Sequence, residues 1–189
     1  MRAKSFVLFL IFFVGCCTNV KVTKMYELYF DKETYDMFNA GVNAYQTQQF
    51  QKSDSILTLV INKSKDKFSA SMPVEFNPYF YRASNNIELN KYQEALDDLK
   101  KVVSDTTTNT DILVVKTEAF KMLKQYDSAI IICNKLLTLK IDSSIVLSQR
   151  GICYYQKKEL EKACADFTLC KKLSSKDYSF LNKFMKDCQ

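Results

Sequence analysis

SIVLSQRGICYYQKKELEKACADFTLCKKL, residues 144–173, sets the pattern against which the rest of the chain is read. In its first half Leu147, Gly151 and Tyr154 recur at i, i+4 and i+7, and in its second half Ala163, Phe167 and Cys170 do the same. That spacing places one apolar stripe on each of two helices of 3.6-residue period. Between them QKKEL, residues 156–160, has no stripe and reads as a tight turn. Gly151 and Ala163 are small, one per helix, where two antiparallel helices need to approach closely. The stretch therefore predicts a helical hairpin.

Working back along the chain, the last apolar or aromatic residue before each second helix is Phe50, Tyr92, Tyr126 and Leu160, at intervals of 42, 34 and 34. The first interval is one repeat plus eight residues, and the surplus is FSASMPVE, residues 68–75. It reads as a surface loop, since an insertion between stacked hairpins costs little closure entropy. Four units follow, at 34–67, 76–109, 110–143 and 144–177. The first uses Met37, Gly41 and Ala44, then Ser53, Leu57 and Val60, with Ser53 standing where the pattern favours Ala. The second opens with Asn77-Pro78, an N-cap followed by proline at the first helical position. Its later stripe is Ala95, Leu99 and Val102, and SDTTTNT (104–110) closes it as a loop. The third uses Leu113, Thr117 and Phe120, then Ala129, Cys133 and Leu136, with Asp111 as its expected N-cap. Beyond the fourth, residues 176–188 read as one more amphipathic helix with Phe180, Leu181 and Phe184 on one side. It would cover the open end of the stack, with the cap itself taken as 178–189.

A 34-residue helix–turn–helix unit with these small and aromatic positions resembles the tetratricopeptide repeat. The resemblance covers residues 34–189 and implies an all-α fold, an α-solenoid of about four hairpins plus a C-terminal capping helix. It also implies that the first helix of each unit lines a concave face. Residues one turn from the core stripe would project there: Phe38, Val42 and Tyr45; Phe80, Ser84 and Ile87; Val114, Glu118 and Lys121; Ser148, Ile152 and Tyr155. The first two sets are aromatic and aliphatic and the third is charged, a surface suited to a docked peptide. The positions that form a Lys/Asn clamp for C-terminal carboxylates in some family members are apolar here.

Composition agrees with a helical, non-catalytic reading. Apolar residues make up 47% and charged residues 25% of 189, enough to bury a core. Three glycines and two prolines are too few for a fold built on many tight β-turns. There is no histidine, which removes the commonest general base and metal ligand. No CxxC and no Gly-rich phosphate loop occur, so neither a metal site nor a cofactor is expected. The Asp97–Asp98 pair sits beside Lys100 and Lys101 and reads as a solvated, ion-paired helix face. Net charge is +6, and Lys is interspersed with Asp and Glu rather than gathered in the basic stripe of a nucleic-acid binder.

Residues 1–15, MRAKSFVLFLIFFVG, have a basic start and an apolar run at 6–14, the length of a secretory h-region and too short to span a bilayer. Gly15-Cys16 after it resembles the lipobox of bacterial lipoproteins, with Phe13 where that motif has Leu. The resemblance implies cleavage before Cys16 and acylation of Cys16 (palmitate among the chains), hence an envelope protein held by lipid. Loss of Arg2 and Lys4 from +6 would leave about +4. Residues 16–33 then read as a tether whose apolar part, 25–30, can pack on the first helix.

Of the seven cysteines, Cys17 neighbours the lipid site, and Cys133 and Cys170 lie on apolar stripes. Cys153 and Cys164 sit on facing helices at similar distances from a turn, so a disulfide between them and buried free thiols are both open; Cys188 has no clear assignment. The function expected is a non-catalytic, membrane-anchored interaction scaffold or assembly factor, with a protein or peptide partner and no nucleic acid. A glycan-binding or nutrient-uptake accessory, stacking sugars on Tyr45, Tyr155 and Phe80, is the alternative.

Overall fold

An apolar stripe at helical spacing defines the hairpin helices of this chain, and three of them are capped at the amino end by an Asp or Asn side chain. The computed structural model describes residues 26–64, 67–68, 72–102, 108–139, 143–173 and 178–188. The expected signal peptide, Cys16 and the start of the tether lie outside these. Two units are distinguished, one ending at Thr107 and one beginning at Thr108.

The first unit contains α1 (Lys32–Gln46), α2 (Phe50–Ser64), α3 (Pro78–Glu88) and α4 (Tyr92–Val102). α1 pairs with α2, α3 with α4, and α2 packs on α3. The Asp31 carboxylate caps α1 by accepting the Thr34 N–H at 2.8 Å. Asn77 caps α3 by accepting the Tyr79 N–H at 3.1 Å, with Pro78 leading the helix. The second unit contains α5 (Thr110–Met122), α6 (Tyr126–Thr138), α7 (Ser143–Gln156) and α8 (Leu160–Leu173). Here α5 pairs with α6, α7 with α8, and α6 packs on α7. The cap of α5 is Asn109, which accepts the N–H groups of Asp111 and Ile112 at 3.1 and 3.2 Å. Asp111, the expected cap, lies inside the first turn, where its charge still favours the helix amino end.

The four hairpin turns are built alike. Gln48, Asn90, Lys124 and Lys158 each take φ of 60–63°. The next residue's N–H then closes on the carbonyl five residues back: Gln49 on Ala44, Lys91 on Asn86, Gln125 on Phe120 and Glu159 on Tyr154, at 2.7–2.9 Å. A side chain in this left-handed region costs about 1 kcal/mol relative to glycine, so packing on either side holds the turns closed.

Sixteen residues separate the small residue of a first helix from its counterpart in the second: Gly41 and Leu57, Ala83 and Leu99, Thr117 and Cys133, Gly151 and Phe167. Seven of these eight are buried hydrophobics or glycines and the eighth, Thr117, is a buried hydroxyl bonded to the Leu113 carbonyl at 2.8 Å. At Gly151 the fit leaves no room, because a Cβ would lie 2.5 Å from the Phe167 ring. At Gly41 a Cβ would meet the end of Leu57 at 3.0 Å.

Each unit is closed by residues outside its hairpins. In the first, Phe30 stacks on Phe38 with ring centroids 5.1 Å apart and leans on Phe68 at 5.5 Å. Phe68 and Met72 join the core formed by Phe30, Phe38, Leu57, Val60 and Ile61, and Val74 is buried too. The insertion expected as a surface loop is therefore a hydrophobic plug, because its apolar residues Phe68, Met72 and Val74 find the end of α2 uncovered. In the second, Tyr178 and Leu181 are buried against Leu147, Ala163, Phe167 and Cys170, and Phe184 stacks on Phe167. This segment is not one amphipathic α-helix. It runs as a 3₁₀ turn (Ser179–Leu181), a single α turn α9 (Asn182–Met185) and a second 3₁₀ turn (Lys186–Cys188). Its inward residues Tyr178, Leu181 and Phe184 recur every three, the period of a 3₁₀ helix, which leaves Phe180 exposed. A disulfide joins Cys188 to Cys164 of α8. Cys153 is a free buried thiol and does not pair with Cys164, for it faces the α6 side with Ala129 and Ile130.

Candidate interaction surfaces

The twelve residues expected to line a concave face divide by burial. In the first unit Phe38, Tyr45, Phe80, Ser84 and Ile87 are buried and only Val42 is partly exposed. The reason is Tyr81, whose ring meets Phe38 at 5.6 Å, Tyr45 at 6.1 Å and Phe80 at 5.6 Å, each edge to face. These side chains are core, and the expectation that they receive a partner is corrected. Burial drives the Tyr45 hydroxyl up to about 12, the Glu88 charge adds to this, and a hydrogen bond with Ser84 partly offsets it. The sugar-stacking reading loses Tyr45 and Phe80 for the same reason, since a stacked sugar needs an open ring face.

In the second unit Ser148 is buried, while Val114, Glu118, Lys121, Ile152 and Tyr155 are partly exposed. Lys121 donates to Glu118 at 2.6 Å and to Gln149 at 2.5 Å, tying α5 to α7. Tyr155 donates its hydroxyl to Asp187 and sets its ring edge-on to Phe184 at 5.0 Å. The accessible part of the expected surface in this unit is thus Val114, Ile152 and Tyr155, each partly exposed, and the Lys121–Glu118 ion pair.

A repeated polar clamp was not foreseen. Arg82 Nε and Nη2 donate to the two oxygens of Asp98 at 2.9 and 2.6 Å, and Nη1 donates to Thr58 at 3.1 Å. Arg150 does the same to Asp166 at 2.8 and 2.7 Å, with Asn134 at 2.7 Å. In both pairs the side chains are 21% and 7% exposed. Asp98 is buried, whereas the sequence reading placed it with Asp97 on a solvated face. Burial pushes the Asp98 carboxyl up while the Arg82 guanidinium pulls it back, and arginine stays charged throughout. The signal present in the sequence was the spacing: Arg and Asp sixteen apart, twice, two repeats from each other.

Two depressions mark the surface. One, in the first unit, measures about 360 Å³ and is lined by Asp54, Thr58, Arg82, Asn86, Lys91, Glu94, Asp97 and Asp98. Of its charges, Arg82 pairs with Asp98 and Lys91 with Asp54 at 3.5 Å, while Asp97 turns to Lys100 outside the lining. The other, in the second unit between α8 and the C-terminal turns, measures about 730 Å³. It has the floor Ala165, Leu169 and Met185, the Cys164–Cys188 disulfide in its wall, and Lys171, Lys172 and Lys186 around it, with no carboxylate side chain among its described lining residues.

Neither depression gathers a nucleophile and a base. The free thiols Cys133 and Cys153 are pushed up by burial to about 12 and 11, so they are protonated at neutral pH. No group of His, Cys, Asp or Glu among the described residues is arranged to hold a metal ion.

Solved structures with the same arrangement exist. The chain superposes on one described as "MamA RS-1 ArsTM double mutant" with a TM-score of 0.69, at 14% identity, covering 84% of this chain and 86% of that one. A second, "MamA MSR-1 C2", gives 0.63 at 19% identity over 78% and 82%. The fold is a tetratricopeptide-like helical repeat. In sequence, the chain is 31% identical over 97 residues to "Protein SGT1 homolog" of Bos taurus, which is 51% of this chain and 28% of that protein. The chain thus matches little more than a quarter of that relative's length. No protein-family model matches the chain. For a repeat of this kind the usable surface is what the hairpins leave outside their cores. Here that is the Val114–Ile152 region, the two depressions and exposed apolar side chains such as Ile131, Leu169 and Leu173.

Proposed function

We propose that the protein is a non-catalytic interaction scaffold or assembly factor of the bacterial cell envelope, tethered by lipid on Cys16 and docking a protein segment on its helical repeats. The observation that carries this reading is the repeat itself: four like-built hairpins whose helices offer apolar and charged side chains in rows, a surface matched to extended or helical peptides. The lipobox-like residues before Cys16 support the tether. The Cys164–Cys188 disulfide supports an oxidising compartment, because such bonds are rare in reducing cytosol. Envelope location, the anchor and the absence of catalysis are parts of this one reading.

The test is photocrosslinking in cells with a photoreactive residue at Val114 or Ile152, paired with membrane fractionation of the wild type and of C16A. The reading predicts a discrete protein adduct and a membrane-bound wild type whose C16A form is released. Capture of carbohydrate alone would favour the glycan-accessory reading, and a C16A form that stays on the membrane would remove the lipid anchor.

A further inference from the structure

We infer that the depression between α8 and the C-terminal turns is a docking site for an acidic amphipathic peptide. This deepens the scaffold reading and rests on it, naming where on the second unit a partner binds and with what chemistry.

Charge comes first. Lys171, Lys172 and Lys186 surround a depression with no carboxylate side chain among the described residues that line it. Lys171 donates to the neutral Asn182 amide at 2.6 Å, and Lys183 nearby lies over the Phe184 ring at 4.7 Å. No ion pair is formed by any of these four lysines among the described residues. Several lysines elsewhere do form close ion pairs: Lys63 to Glu33, Lys121 to Glu118, Lys157 to Asp127 and Glu159, and Lys162 to Glu159, all within 2.7 Å. The carboxylate nearest in sequence, Asp187, is occupied by the Tyr155 hydroxyl. The described charges lining this depression are thus all positive, and acidic groups on a partner would complement them.

Shape and floor decide the kind of ligand. Leu169 is 43% exposed and Leu173 is 56% exposed; with Ala165 they form a stripe at i, i+4 and i+8 along α8, and Met185 faces it across the depression. An apolar floor inside a basic rim suits a helix or strand that alternates Glu or Asp with aliphatic residues. A flat anionic bilayer would meet lysines projecting from a convex face more readily than lysines around a hollow. The disulfide fixes the far wall by holding Cys188, and with it Lys186 and Met185, against α8.

The experiment uses the full chain and a fluorescein-labelled synthetic peptide alternating Glu pairs with Leu, read by anisotropy against the same peptide with Gln for Glu. Saturable binding of the Glu peptide is expected, with the Gln peptide weaker by about tenfold or more. K172E/K186E should weaken the Glu peptide by at least about tenfold, and L169S by several-fold, without changing the melting curve. C164S/C188S should weaken it while α1–α8 remain folded by circular dichroism. Equal binding of the two peptides, no binding of either, or a preference for phosphatidylglycerol vesicles over the Glu peptide would each overturn the site. Protein capture at Val114 or Ile152 in cells would survive such a failure, so the two readings are separable.

Discussion

The first and second units run the same hairpin scheme and spend their side chains differently. Both hold an Arg–Asp clamp of the same exposure and almost the same distances. Their ends differ: the first is closed without a covalent link by Phe30, Phe68 and Met72, with Phe30 between Phe38 and Phe68, and the second by Tyr178, Leu181, Phe184 and a disulfide. Their depressions differ more. In the first unit acids and bases share the lining, with two ion pairs between them, whereas in the second the described charges are all lysines beside an apolar floor. The repeat therefore fixes what happens inside a hairpin, and the surface between and beyond hairpins is free to serve other ends.

Substitutions can break this comparison at graded depth. The largest effect belongs to the glycines. Gly151→Ala drives a methyl against the Phe167 ring and should cost about 3 kcal/mol, the upper range for overpacking. Gly41→Ala meets the side chains of Leu57 at 3.0 Å and Ile56 at 3.3 Å, a milder approach, and the helix propensity gained by alanine, about 1 kcal/mol, offsets much of the strain. Urea unfolding of the two variants should thus separate them clearly.

Next come the clamps. Asp98→Ala and Asp166→Ala each leave a half-buried guanidinium without its partner, a loss of about 2–3 kcal/mol. The two should agree within about 0.5 kcal/mol if the clamps are equivalent, and denaturant midpoints of the pair check it. Smaller again, Lys158→Gly and Lys124→Gly relieve a left-handed side chain and should raise stability by up to about 1 kcal/mol each. Asn90→Gly should gain less, since asparagine tolerates that region.

The smallest effect is on pH. Asp31 is held below the usual carboxylate range by the Thr34 N–H and hydroxyl. Asp97 is lowered by Lys100, and Glu159 by Lys157 and Lys162. Groups with depressed folded values contribute stability above their unfolded values and lose it as pH falls through the folded ones. Melting temperature should therefore be flat from pH 7 to about 5 and decline below about 4, and Asp31→Asn should shallow that decline.

Much of the hairpin interior was legible in the chain. The interval of 34 is a property of turns, and the left-handed residues Asn90, Lys124 and Lys158 repeat it in the backbone, with Gln48 set eight residues further back by the insertion. Asn77-Pro78 announces a helix start through local chemistry alone. What was not legible depends on contacts between hairpins. Phe38, Tyr45 and Phe80 have the spacing of a groove, yet Tyr81 fills it, and only the packing of neighbouring helices decides that. Asp98 differs from Asp97 by one residue and 100° of helix, enough to turn it from solvent to Arg82. The partner of Cys188 depended on a chain end whose three-residue period was read as helical. Phe68, Met72 and Val74 carried their own signal, three apolar residues in eight, which a preference for surface loops outweighed.

The account turns on fitted pairs sixteen residues apart that close each hairpin, and a double-mutant cycle at the tightest of them tests it most directly. Gly151→Ala, Phe167→Leu and the double variant would be unfolded in urea, on the premise that a smaller side chain at 167 makes room for the added methyl. The account predicts strong coupling, with the double variant more stable than the sum of the single losses by at least about 1 kcal/mol. Additive losses would mean that the two positions do not touch, and the hairpin register described here would be wrong.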